Sequence, residues 1–170
     1  MTGFVSSATG DSQALSELQK KYEDECRLVR DEYTERIDEW PDKYIEALQK
    51  FMEVRQAAGD YVGWQTANYE LERFELERVV IPDQTLGDDS DLERLRQRLL
   101  NMLKEYELTK ARGLVEATER YTKKLDALVS QYTKAKNIAE ASVVNTELRR
   151  VTTSAELTAA KQLLETEAES

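Results

Sequence analysis

The sequence predicts an all-α protein: two tandem long helical hairpins forming an elongated four-helix bundle, a coiled-coil-like assembly. Three observations carry this. Only six Gly and two Pro interrupt 170 residues, and charged residues make up 34%, a balance that suits long helices rather than turn-rich sheets. Apolar residues recur along one helical stripe for tens of residues. And sliding the chain by 77 places Tyr121–Val151 on Tyr44–Phe74 without a gap. Seven of the 31 pairs are then identical: Tyr44/Tyr121, Leu48/Leu125, Ala58/Ala135, Asn68/Asn145, Glu70/Glu147, Leu71/Leu148 and Arg73/Arg150. Roughly two or three would match by chance, so an internal duplication is expected.

Residues 1–13 are small and polar and are expected to be disordered. They lack the basic and apolar regions of a signal peptide, although an initiator Met on a mature domain would look the same. The first hairpin is expected over 14–78. Its first helix carries Leu15, Leu18, Tyr22, Cys26, Val29, Tyr33, Ile37, Trp40, Tyr44, Leu48 and Phe51. Their 3-4-4 spacing repeats every 11 residues, at about 3.67 residues per turn, which keeps the stripe nearly straight. Pro41 must kink or break this helix. Gly59 suits a left-handed helix end and Asp60 the cap of the next helix. Trp64, Ala67, Leu71 and Phe74, led by Tyr61, form the stripe of that helix, and Gly63 allows close approach to the first.

A linker is expected over 79–91. It is long enough to run back along the N-terminal half of the first helix, with Val79–Ile81 against apolar surface. The third helix would then start level with the first and run parallel to it. The second hairpin is expected over 92–168. Its stripe is Leu92, Leu95, Leu99, Leu103, Tyr106, Leu114, Ala117, Tyr121, Leu125, Leu128 and Tyr132, weakest around Lys110 and Gly113. Thr118 stands where Pro41 was, so this copy should be straighter. Asn137 replaces Asp60 and Lys136 the Gly, so the second turn should be looser or shifted by a residue. Ala141, Val144, Leu148 and Val151 line the fourth helix. Thr153 with Glu156 reads as a capping box for a last helix.

Function classes are bounded mostly by what is missing. Histidine is absent, which removes the commonest general base and transition-metal ligand. Di-iron bundle sites need Glu-x-x-His pairs, Ser-His-Asp and Cys-His arrangements are impossible, and no phosphate-binding glycine loop occurs. No catalytic residue, metal ligand or cofactor is therefore expected. Cys26 is the single cysteine. A net charge of −10 repels nucleic acid and anionic lipid and otherwise serves solubility. No apolar run reaches the ~20 residues of a membrane span.

The residues shared by the two copies define one constellation. In an antiparallel hairpin turning at 59–60, residue 48 faces 71 and residue 44 faces about 75. Tyr44 should therefore meet Glu70 and Arg73, and Tyr121 should meet Glu147 and Arg150, each as a structural clamp rather than a binding notch. The tryptophans and tyrosines read as core rather than as a ligand cage.

The segment Ala58-Gly59-Asp60 with Glu70-Leu71-Glu72-Arg73-Phe74 resembles a helical-hairpin module of exported planctomycete and verrucomicrobial bacterial proteins. In those an A-G-D/N-L turn leads into a helix ending E-L/I-E-R-F. The second copy matches at Ala135, Asn137, Glu147, Leu148 and Arg150. The resemblance implies a hairpin module, often repeated, and an exported or periplasmic location if a signal was removed, otherwise a cytoplasmic one. It implies no activity. The functional expectation is a non-enzymatic structural or protein–protein interaction module. It would bind a protein partner or self-associate through unpaired stripe on the N-terminal halves of the long helices. The alternative is a small-ligand or lipid binder using a cleft between the hairpins.

Overall fold

The computed structural model describes residues 8–80 and 89–169, and side chains from residue 13 onward. All of its elements are α-helices: α1 (Ala8–Ala57), α2 (Tyr61–Glu77), α3 (Ser90–Lys134), α4 (Ile138–Thr152) and α5 (Ala155–Ala168). The expected N-terminal disorder falls partly on residues 1–7, outside the described residues; from Ala8 the chain is helical. Pro41 lies inside α1, which continues through it despite the about 3 kcal/mol that an interior proline costs. Packing on both sides of Pro41 outweighs the lost hydrogen bond: Trp40 and Tyr44 are both buried.

The chain divides into two compact units, one made of Met1–Glu32 with Leu108–Ser170, the other of Tyr33–Glu107. The Tyr33–Glu107 unit holds the C-terminal part of α1, α2 and the start of α3. Its core joins Trp40, Tyr44 and Leu48 to Ala67, Leu71 and Phe74, and closes on Leu92 and Leu99. Leu48 and Leu71 thus share one cluster. The segments of α1 and α3 run antiparallel. The Trp40 indole N–H donates to the Leu99 carbonyl (2.9 Å), Arg36 lies over the Tyr106 ring, and Arg55 bonds Asp89 and Asp91.

This corrects the expected parallel third helix. Arg55, near the end of α1, holds the start of α3, so the link returns toward the α1–α2 turn, not toward the start of α1. Val79 is exposed and only Val80 packs on the core. Ile81 and the rest of the link to residue 88 lie outside the described residues.

In the other unit the α3 segment, α4, α5 and the first part of α1 come together. Tyr121, Leu125, Leu128 and Tyr132 meet Ala141, Val144 and Val151, with Leu15 closing the cluster. Beside it Cys26 packs on Leu114 and Ala117, and burial pushes its thiol pKa up. Here too α1 and α3 segments run antiparallel: Tyr22 stacks on Tyr121 at 4.4 Å and Val29 rests on Gly113. The apolar N-terminal halves of α1 and α3 are therefore not unpaired surface, as the stripe alone suggested. Each is covered, α1 by α3 and α4, α3 by α1 and α2. Leu108 and Ala111 bridge the gap expected near Lys110 and are buried.

The two helix turns are alike to the atom, contrary to the expected looser second turn. Gly59 N–H donates to Gln56 O (3.0 Å) and Asp60 N–H to Arg55 O (2.9 Å). Lys136 N–H donates to Thr133 O (3.0 Å) and Asn137 N–H to Tyr132 O (2.8 Å). Lys136 adopts φ 60°, the left-handed conformation that Gly59 holds at φ 71°. Hydrogen bonding and the Asn137 cap keep the turn, and a lysine accepts the backbone cost. Gly63 serves both the cap and the expected approach to α1: its N–H donates to Asp60 Oδ1 (2.9 Å), and a Cβ there would strike that carboxylate and crowd Arg55 of α1 at 3.1 Å. The last helix is capped by Ser154, whose Oγ accepts from Leu157 N–H. Thr153, expected to cap it, instead donates its hydroxyl to Arg149 O and closes α4.

Candidate functional site

Each unit holds one tyrosine–glutamate–arginine cluster, built the same way. Glutamate and arginine three apart on one helix face place the guanidinium beside the carboxylate. The long helix opposite delivers the tyrosine. Tyr44 Oη donates to Glu70 Oε1 (2.7 Å). Arg73 donates from Nε to Oε2 and from Nη2 to Oε1, both at 2.8 Å. In the other unit Tyr121 Oη donates to Glu147 Oε1 (2.9 Å). Arg150 donates from Nε to Oε2 (2.7 Å) and from Nη2 to Oε1 (2.8 Å). The six candidate residues thus form two separate triads.

Burial, then the hydrogen bond to glutamate, pushes the phenol of Tyr44 far above its ordinary pKa, and Tyr121 likewise. The paired carboxylates raise Arg73 and Arg150. Arg150 holds Glu147 below the usual carboxylate range against the opposing effect of burial. A phenol locked neutral and a carboxylate already taking three charge-assisted or phenolic bonds make a poor base and a poor nucleophile.

A further helix brings one more polar side chain to the neighbourhood of each triad, which the sequence reading did not foresee. Arg96 of α3 is almost fully buried, and its charge opposes the rise in Tyr44. It bonds Glu93 through Nη1 (3.4 Å). At the matching place, 77 residues earlier, Gln19 of α1 bonds Glu147. The spacing Leu92, Arg96, Leu99 was the available signal, because it sets Arg96 on the buried stripe.

The hollow beside Tyr22, Ala117 and Tyr121 measures only about 10 Å³, room for about one water. Among the described residues no group of three or more acidic or cysteine side chains is placed to hold a metal. No helix among them is long and apolar enough to cross a membrane.

The surface is more distinctive than the triads. Tyr61 and Tyr69, expected in the core, are exposed, and Trp64 is half-buried. On α2, Val62, Tyr69 and Leu76 are 72%, 62% and 85% exposed. They stand seven apart, so they share one face, turned away from the core residues Ala67, Leu71 and Phe74. The matching residues of the second copy are Ala139 and Thr146 of α4 and Thr153 at its C-cap, all exposed. At the head of this face Tyr61 stacks on Trp64 (6.3 Å). With Gln56, Gly59 and Asp60 they line an open depression of about 370 Å³.

Comparison with protein-family models, with curated proteins and with solved structures returned no match.

Proposed function

We propose that the protein is a non-enzymatic helical interaction module that binds a protein partner through the outer face of α2. In this reading the two hairpins are tandem copies within one four-helix bundle. The tyrosine triads are clamps that fix their geometry. The observation that carries it is the heptad-spaced row Val62, Tyr69 and Leu76. The corresponding residues of the second copy, Ala139 and Thr146 on α4 and Thr153 at its C-cap, serve as an internal comparison: none is a large apolar group. The fold does not demand them on α2, and exposed apolar rows of this kind suit an apposed helix. The depression beside Tyr61 and Trp64 offers a seat for one protruding partner side chain. The resemblance of Ala58–Phe74 to exported bacterial hairpin modules implies a hairpin architecture and no activity; a location outside the cytoplasm follows from it only where a signal has been removed.

The test transplants the α4 face onto α2 as Val62→Ala/Tyr69→Thr/Leu76→Thr. This variant is expected to unfold at the wild-type urea concentration. Proteins cross-linked to the wild type in cells of its source should be lost from the variant. Equal capture by both would end the proposal.

A further inference from the structure

The exposed row of α2 sits in the stretch that carries most of the chain's net charge. Residues 51–93 hold eleven acidic residues against three arginines and no lysine, so −8 of the total −10 falls there. Within α2 the single basic residue is Arg73, and its guanidinium is held by Glu70 and Glu77. Glu72 and Glu75 are exposed. At about 100° per residue they line one edge of the row Val62, Tyr69 and Leu76, and Tyr61 stands at the head of the same edge. Asn68 donates to Glu72 (2.7 Å), which leaves the glutamate its charge.

We propose that the partner seated on this face is a basic amphipathic helix. This rests on α2 being the binding face. The apolar stripe of the partner covers Val62, Tyr69 and Leu76, and its lysines or arginines meet Glu72 and Glu75 along the edge. The head of the face seats one more cation. Tyr61 and Trp64 lie within 19° of parallel, with ring centroids 6.3 Å apart. They share the depression of about 370 Å³ with the Asp60 carboxylate, Gln56 and Gly59. Aromatic rings beside a carboxylate attract a guanidinium or an ammonium, and among the described residues no cation lines the depression. Arg55, which bonds Asp60, is divided among Asp60, Asp89 and Asp91. The same charge turns away a second copy. Two such faces brought together would oppose one acidic stretch to another, whereas a basic helix gains as it approaches.

The test uses two synthetic helices of about 20 residues, long enough to hold helical structure. They share one apolar stripe and carry either lysine and arginine or glutamate and glutamine on its flanks. Each bears a fluorophore and is titrated with the full chain. An exposed ion pair contributes about 1.5- to fivefold in affinity. Three of them should make the basic helix bind at least about tenfold more tightly than the acidic one at about 0.05 M salt. The ratio should shrink toward one at about 1 M, where the screening length is about 3 Å. Glu72→Gln/Glu75→Gln should remove most of the preference with the urea midpoint unchanged, and Tyr61→Ala should weaken the basic helix alone. If both helices bind equally, and both are lost in Val62→Ala/Tyr69→Thr/Leu76→Thr, the basic partner is overturned while α2 remains the binding face. If that triple variant binds the basic helix undiminished, or the wild type binds neither helix, both readings are overturned. A wild-type dimer at low salt that the triple variant abolishes would seat a second copy on the face and overturn the proposal equally.

Discussion

Replacing Tyr44 and Tyr121 by phenylalanine, one at a time, removes the same hydroxyl from the same triad in two settings. A hydrogen bond to a charged group contributes about 1.5–3 kcal/mol when water cannot substitute. Around Tyr44 the site is closed: the side chain of Glu70 is 1% exposed and that of Arg73 17%. Glu70 keeps its two bonds from Arg73, so the loss sits low in that range, at about 2 kcal/mol. Around Tyr121 the arginine partner is 60% exposed, and the bond itself is longer, 2.9 Å against 2.7 Å. Water can approach that carboxylate, and about 1 kcal/mol is expected. For a chain of this size, Tyr44→Phe should then lower Tm by about 4–8 °C and Tyr121→Phe by about half as much. Urea titrations followed by circular dichroism, with unchanged m-values, give the comparison. Tyr121→Phe costing as much as Tyr44→Phe would refute the argument from burial. So would losses below about 0.5 kcal/mol at both.

Lys136→Gly should stabilise by about 0.5–1 kcal/mol, because it relieves a left-handed backbone that Gly59 already occupies freely; Gly59→Ala should lose a similar amount, both read from urea midpoints. Acid should weaken the fold partly through Glu147. Its folded pKa is depressed by Arg150, so its contribution is complete above the unfolded carboxylate value of about 4.3 and disappears as pH falls through the folded value. Glu147→Gln should therefore destabilise at pH 7 and flatten the loss of stability below about pH 4.3; an unchanged acid limb would contradict this. The raised tyrosines act at the other end: stability that is whole below the unfolded phenol value of about 10 should fall as pH climbs beyond it.

The helices and the triads were legible because both rest on local spacing. A 3-4-4 stripe fixes which residues face inward, and an offset of 26 residues across a defined turn brings Tyr44 to Glu70 and Tyr121 to Glu147. The direction of α3 was not legible. Its stripe buries equally well on a parallel or an antiparallel neighbour, and a match of helix lengths favoured the wrong one. What decides it is specific: Arg55 with Asp89 and Asp91, Tyr22 with Thr118, and Trp40 with the Leu99 carbonyl. These are pairs far apart in sequence, and nothing in the spacing of the chain selects them. Arg96 was missed because an arginine on a helix usually marks solvent; here its position on the stripe outranked its charge. Lys136 misled for a similar reason. The turn is specified by its hydrogen bonds and its Asn137 cap, and the residue at its left-handed position has only to tolerate it.

Both tryptophans, Trp40 and Trp64, belong to the Tyr33–Glu107 unit. The other unit has no tryptophan and is dark to selective excitation of indole. Emission therefore follows one core, while helical circular dichroism follows both, and α1 and α3 contribute residues to each. Superimposed melting curves from the two signals would mean that the long helices transmit loss of order from core to core. Separated curves would give the two cores individual stabilities, with no label added to the molecule.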